Sequence, residues 1–318
     1  MRSVVALSVK GERLVGTVHH PAAGLRSDVG VLIFNFGQAP RAGLGDLAAH
    51  MGDSLGNRGY SVFRFDLPGL GDSGGELPER IQGFWRMVQD GGHIAQACYL
   101  VSALIERFHL RSMVVGGLCG GAITAIYAAN KLSSQISGVV AIEPDFILTP
   151  LPQEEEAQGQ TLSTDVYLAS VAANKRNLLS LSSWKRFLSG QSAYGHHVHL
   201  VRHSVRMWWE RVNGHALPAD ANLPLIECTR RLGRSQVPML IVNAGEAARD
   251  FMERDILGPH RQKVSYVTIS GTNHLFIAGT GKQELIANVE SWMLNTFPPR
   301  GSVGPEQGQG PPPSRKVA

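Results

Sequence analysis

Two segments near the start of the chain alternate apolar and polar positions, SVVALSV (3–9) and RLVGTVHH (13–20), and are separated by Lys10-Gly11-Glu12. That two-residue period predicts two half-buried strands joined by a turn. The next apolar stretch, VGVLIFNF (29–36), does not alternate, which predicts a strand buried on both faces. Strand-like runs then take turns with stretches of helical period. They predict a helix over 44–57, a strand over 60–66, a long helix over about 84–108, a strand over 112–118, a helix over 120–131 and a strand over 136–144. The alternation lapses between 147 and 235, then resumes with strands over 237–244 and 264–270 and a closing helix over 282–296.

Strand–helix alternation of this kind predicts an α/β fold with a mostly parallel, doubly wound sheet, opened by the N-terminal hairpin. Its core is expected to comprise residues 1–146 and 236–297. Residues 147–235 read as several helices inserted after the sixth strand, a lid or cap. The last segment, 298–318, is rich in Pro and Gly and is expected to be disordered. No internal repeat is evident.

Composition narrows the class. In 318 residues, 43% are hydrophobic and 18% charged, below the usual quarter or so, as suits a sheet covered on both faces. A net charge of +4 does not point to a nucleic-acid binder. The first twenty residues carry Lys10, Glu12 and Arg13 and no long apolar stretch, so no signal peptide is expected, nor does any apolar run reach membrane-spanning length. Three cysteines, Cys98, Cys119 and Cys228, make no disulfide framework; the odd number suits a reducing, cytoplasmic setting.

One of those cysteines sits in a special place. A strand, then Gly117-Leu118-Cys119-Gly120-Gly121, then a helix is a G-x-C-x-G form of the nucleophile elbow. The turn forces its central residue into a strained conformation with the side chain raised above the sheet edge. Glycines two before and two after are required because strand and helix pass too close for a β-carbon. A helix N-terminus beneath Cys119 favours a thiolate, and the Gly120 amide can face an oxyanion. A free cysteine is often only a core space-filler, and that is the role read for Cys98 and Cys228.

These residues make the chain resemble the α/β-hydrolase superfamily over about residues 1–297. FDLPGLGDSGGE (65–76) is similar to the Asp-x-x-Gly-x-Gly-x-Ser loop that follows the fourth strand in that superfamily, a turn to which no chemistry is assigned. SGTNHLFIAG (270–279) looks like its histidine loop, which would make His274 the catalytic base. Matching Phe36-Gly37 to the superfamily's His-Gly makes the Gln38 amide the second oxyanion donor beside Gly120. The acid departs from the usual pattern. After the seventh strand the expected positions hold Ala247 and Ala248, with Glu246 and Asp250 nearby. The sixth strand ends AIEPDF, and Asp145 is therefore expected to orient His274, with Glu246 the alternative. A turn or helix-cap role is the plainer explanation of Asp145.

Two features of the inserted segment complete the sequence picture. HHVH (196–199) with His203 suggests metal ligation, but no Cys, Asp or Glu accompanies it at ligand spacing, so no metal and no cofactor are expected. Lys175, Arg176, Lys185, Arg186, Arg202, Arg206 and Arg211 face Glu210 alone, with Trp184, Trp208 and Trp209 among them. This is either a solvated helical face or a basic docking face for an acyl chain delivered on an acidic carrier protein.

An acyl-cysteine is itself a thioester, slow towards water yet a good acceptor for a carbanion. The segments FGQAPRAG (36–43) and SWKRFLSG (183–190) are similar to the exosortase-associated hydrolases. The Cys-Asp-His order with the acid after the sixth strand resembles the Dieckmann cyclases of tetramate and pyridone biosynthesis. Dienelactone hydrolases share the elbow cysteine but are smaller. The resemblance implies release of a carrier-bound, phosphopantetheinyl-thioester chain by carbon–carbon bond formation. A hydrolytic thioesterase or esterase is the same-fold alternative, and a non-catalytic binding protein the alternative of another class.

Overall fold

A computed structural model describes residues 1–9, 11–150, 217–259, 263–277 and 279–301. The N-terminal alternation becomes an antiparallel pair, β1 (Arg2–Val9) and β2 (Glu12–His19), paired over their whole length. The remaining strands of the sheet are β3 (Val29–Ile33), β4 (Val62–Phe65), β5 (Ser112–Leu118), β6 (Ile136–Ile142), β7 (Met239–Asn243) and β8 (Val264–Thr268). They form one eight-stranded sheet in the order β1-β2-β4-β3-β5-β6-β7-β8. β2 meets β4 antiparallel, and every pairing from β4 to β8 is parallel.

The continuous apolar runs are explained by two cores, one on each face. Along β3, β6 and β7, successive side chains divide between them: Leu32, Val139, Ala141, Met239 and Ile241 enter one core, while Val31, Ile33, Val140, Leu240 and Val242 enter the other. The helices α1 (Leu47–Asn57) and α7 (Gly281–Thr296) cover the second face. The first is covered by α2 (Ile81–Gln89), α3 (Ile94–Phe108), α4 (Gly120–Lys131) and α5 (Leu223–Arg234). A short helix, α6 (Glu246–Phe251), follows β7.

Four features differ from the sequence expectation. The single helix over 84–108 is two helices, because Asp90-Gly91-Gly92 turns the chain and Gly91 takes φ +81°. Residues 223–234, expected in the lid, are α5, whose Leu225 and Ile226 are buried in the sheet core. The sixth strand stops at Ile142, two residues earlier than its apolar run suggests. Arg300–Gly301, expected within the tail, pair with Leu25–Arg26. The histidine run, the three tryptophans and the basic residues between 171 and 211 lie outside the described residues.

Candidate active site

Cys119 is the residue between β5 and α4, and its backbone is strained. It sits at φ 55°, ψ −112°, a conformation that costs a non-glycine residue on the order of 1–3 kcal/mol. Its amide donates to the Ile142 carbonyl at 2.8 Å, which pins the elbow to the end of β6. The flanking glycines leave no room for anything larger. A β-carbon on Gly117 would lie 2.8 Å from backbone atoms of Gly121, and one on Gly121 would lie 2.7 Å from the Asn35 carbonyl oxygen. Both obstacles are backbone, so no rotamer change relieves them. α4 then runs twelve residues from Gly120, with its N-terminal end directly after the cysteine.

His274 stands in the loop after β8. Phe276, fully buried at φ 56°, plugs that loop into the core, and its amide donates to the Asn273 carbonyl at 2.9 Å. Nδ1 of His274 lies 3.0 Å from Oε2 of Glu143, and the ring also hydrogen-bonds the Cys119 side chain. With Nδ1 engaged by the carboxylate, Nε2 is the nitrogen left for the sulfur. Burial is the largest single influence on the ring and opposes its charge. The hydrogen bonds to Cys119 and Glu143, reinforced by their negative charges, outweigh it and push the imidazole up from 6.5 to about 10.

The partner of His274 in this structure is therefore Glu143, where the sequence pointed to Asp145. Because β6 ends at Ile142, Glu143 is the first residue beyond the strand, and it turns the chain at φ 47°. Its side chain is 13% exposed. Oε2 meets His274 while Oε1 accepts from the Ala244 amide at the end of β7. Asp145 comes after Pro144, and its Oδ1 accepts from the Ile147 amide at 3.0 Å, the turn role that its position after a proline also allowed. Glu246, the alternative acid, opens α6. A signal for Glu143 was present: it is the acidic residue nearest the strand end in AIEPDF, but was read as part of the strand.

The loop after β3 lies against the elbow. A β-carbon on Gly120 would come within 3.7 Å of the Gly37 Cα, and Gly37 itself has φ +58°. Phe36 and Ala39 close a turn around Gly37 and Gln38, the Ala39 amide donating to the Phe36 carbonyl at 3.1 Å. The indole of Trp85, from α2, packs over both glycines, a neighbour that no sequence motif marked. Among the described residues there is no cluster of three or more metal-ligating side chains, and no helix is long and apolar enough to cross a membrane.

Comparison with known proteins agrees with this architecture. A family model for the alpha/beta hydrolase fold matches residues 41–218. No curated protein sequence matches the chain. Among solved structures, proline iminopeptidase from Mycobacterium smegmatis is similar at 16% identity and a TM-score of 0.57, over 93% of this chain and 99% of that one. The alpha/beta hydrolase GrgF from Penicillium shows 14% identity and a TM-score of 0.57, over 93% and 99%. An esterase from Pyrococcus furiosus shows 14% identity and a TM-score of 0.55, over 93% and 92%. At these identities the likeness concerns the fold.

Proposed function

The chain belongs to the alpha/beta hydrolase fold family, and on that premise we propose that it is an acyl-transfer enzyme that processes thioesters through an acyl-cysteine. The observation that carries this is the line Cys119–His274–Glu143, assembled from the ends of β5, β8 and β6. A nucleophile on a strained turn, a base and an orienting carboxylate are the three parts that acyl transfer needs.

The Cys119 sulfur attacks the thioester carbonyl carbon. As that S–C bond forms, the C=O π pair moves onto oxygen, where the amides of Gly120 and Gln38 act as donors. Collapse of the tetrahedral intermediate breaks the bond to the original thiol, and His274 gives the departing sulfur its proton. A ring held in the imidazolium form up to about 10 suits that donor role. Glu143 keeps Nδ1 occupied, so Nε2 faces the reacting atoms throughout.

The sulfur supports a particular fate for the acyl group. A site for plain hydrolysis gains little from an acyl-cysteine, whereas transfer to carbon gains selectivity. The fate we assign is Dieckmann cyclisation of a carrier-bound chain: neutral His274 removes a proton from a carbon between two carbonyls, the carbanion attacks the acyl-cysteine carbonyl, and the Cys119 thiolate leaves. Closing a five- or six-membered ring within one chain has an effective molarity of up to roughly 10⁵–10⁸ M, which outcompetes water. A synthetic β-ketoacyl-aminoacyl thioester should give a tetramate or pyridone with one equivalent of free thiol. Recovery of the linear carboxylic acid, one water heavier, would make the enzyme a thioesterase.

A further inference from the structure

The Asp-x-x-Gly-x-Gly-x-Ser segment, read from sequence as a turn without chemistry, is built around a buried carboxylate. Asp66 follows β4 directly, is fully buried, and accepts four hydrogen bonds. Three come from the loop after β3. The Asn35 side chain donates at 3.2 Å, the Arg41 amide at 2.6 Å, and the Arg41 guanidinium also reaches Oδ2. The fourth comes from the Asp72 amide at 3.1 Å. The second glycine of the motif makes room for this carboxylate. A β-carbon on Gly71, which has φ +51°, would lie 2.3 Å from Asp66 Oδ2. Ser73 closes the turn by donating to the Asp66 carbonyl at 2.6 Å and accepting from the Val15 amide at 2.9 Å.

Gln38 lies midway between the two residues that Asp66 holds. On one side, Asn35 donates to the Ala39 carbonyl at 3.0 Å and accepts from the Leu67 amide at 2.8 Å. On the other, Arg41 is fixed by Thr17 Oγ1 at 3.1 Å and Asp72 Oδ2 at 2.7 Å, while its carbonyl accepts from the buried Arg64 at 2.5 Å. Arg64 is held in turn by His19 Nε2 at 2.8 Å. The loop is thus tied at both feet, and its tip rests on the elbow at Gly120.

We infer that Asp66 and Arg41 are positioning residues for the oxyanion donors, locking the Gly37–Gln38 turn in place before negative charge develops on the carbonyl oxygen. The inference rests on the acyl-transfer function proposed above. Donors set in advance stabilise the transition state without reorganising, which is why their placement matters more to acylation than to the stability of the thiolate.

Two reactions at one sulfur separate this role from a structural one. Alkylation by iodoacetamide forms an S–C bond and expels iodide without any oxyanion. Acylation by a phenyl thioester passes through one. In Arg41→Met and Asp66→Asn, each checked by its thermal midpoint, acylation of Cys119 read by intact mass should slow about 10-fold or more, with alkylation changed by less than about twofold, given ~10²–10³ for a deleted donor. Arg41→Lys, which keeps the charge, should recover part of the rate. If Asp66→Asn does not fold, the Arg41 pair decides. Parallel losses in both reactions, or no loss in either, overturn the inference. A wild type that is alkylated but never acylated overturns the acyl-transfer function itself, and the inference with it.

Discussion

Glu143 shows how one residue of register decides a site. Its strand ends at Ile142, its backbone turns left-handed, and both carboxylate oxygens are engaged, one by His274 in the loop after β8 and one by the Ala244 amide after β7. Losing the carboxylate leaves the imidazole without its tautomer guide, a change worth on the order of 10⁴ in kcat in the serine-protease template. Glu143→Gln should therefore abolish most turnover, while Asp145→Asn leaves kcat close to wild type. The same variant should lower the His274 titration from about 10 towards 6.5, since one of the two groups that stabilise the imidazolium is gone. Imidazole NMR across a pH series reads that shift. Full activity in Glu143→Gln with a large loss in Asp145→Asn would return the acid to the position read from sequence. Cys119 and His274 were legible because each belongs to a motif with a fixed place in the fold. Glu143 was not, because strand ends cannot be read from apolar runs to better than a residue or two.

At the scale of elements, the elbow is a packing problem solved by glycine. β5 feeds α4 so closely that Gly117 faces Gly121, and Gly121 faces the backbone of Phe34 and Asn35. Gly121→Ala inserts one methyl against carbonyl oxygens that belong to the loop carrying Gln38. Overpacking of this kind costs about 1–3 kcal/mol, so the thermal midpoint should fall, and acylation should fall further because the loop is displaced. An unchanged midpoint with unchanged acylation would mean that the helix can shift without consequence. The G-x-C-x-G spacing announced this crowding in the sequence. The break between α2 and α3 was also visible, as Asp90-Gly91-Gly92, yet the helical period on either side of it masked the turn.

For the whole molecule, alternating strand and helix patterns were enough to recover the sheet, because burial on both faces leaves long apolar runs that only a covered parallel sheet accommodates. The Asp66 network was not legible in this way. Its members, Thr17, Asn35, Arg41, Arg64 and Asp66, come from three separate segments, and no local pattern links them. The central claim is that this scaffold places an acyl group on Cys119, and intact-mass analysis after rapid mixing with an acyl thioester tests it most directly. Wild-type protein should gain the mass of one acyl group with loss of a proton, mapping to Cys119, and Cys119→Ala should gain none and release no thiol. An acyl adduct on another residue, or thiol release by Cys119→Ala at the wild-type rate, would contradict it.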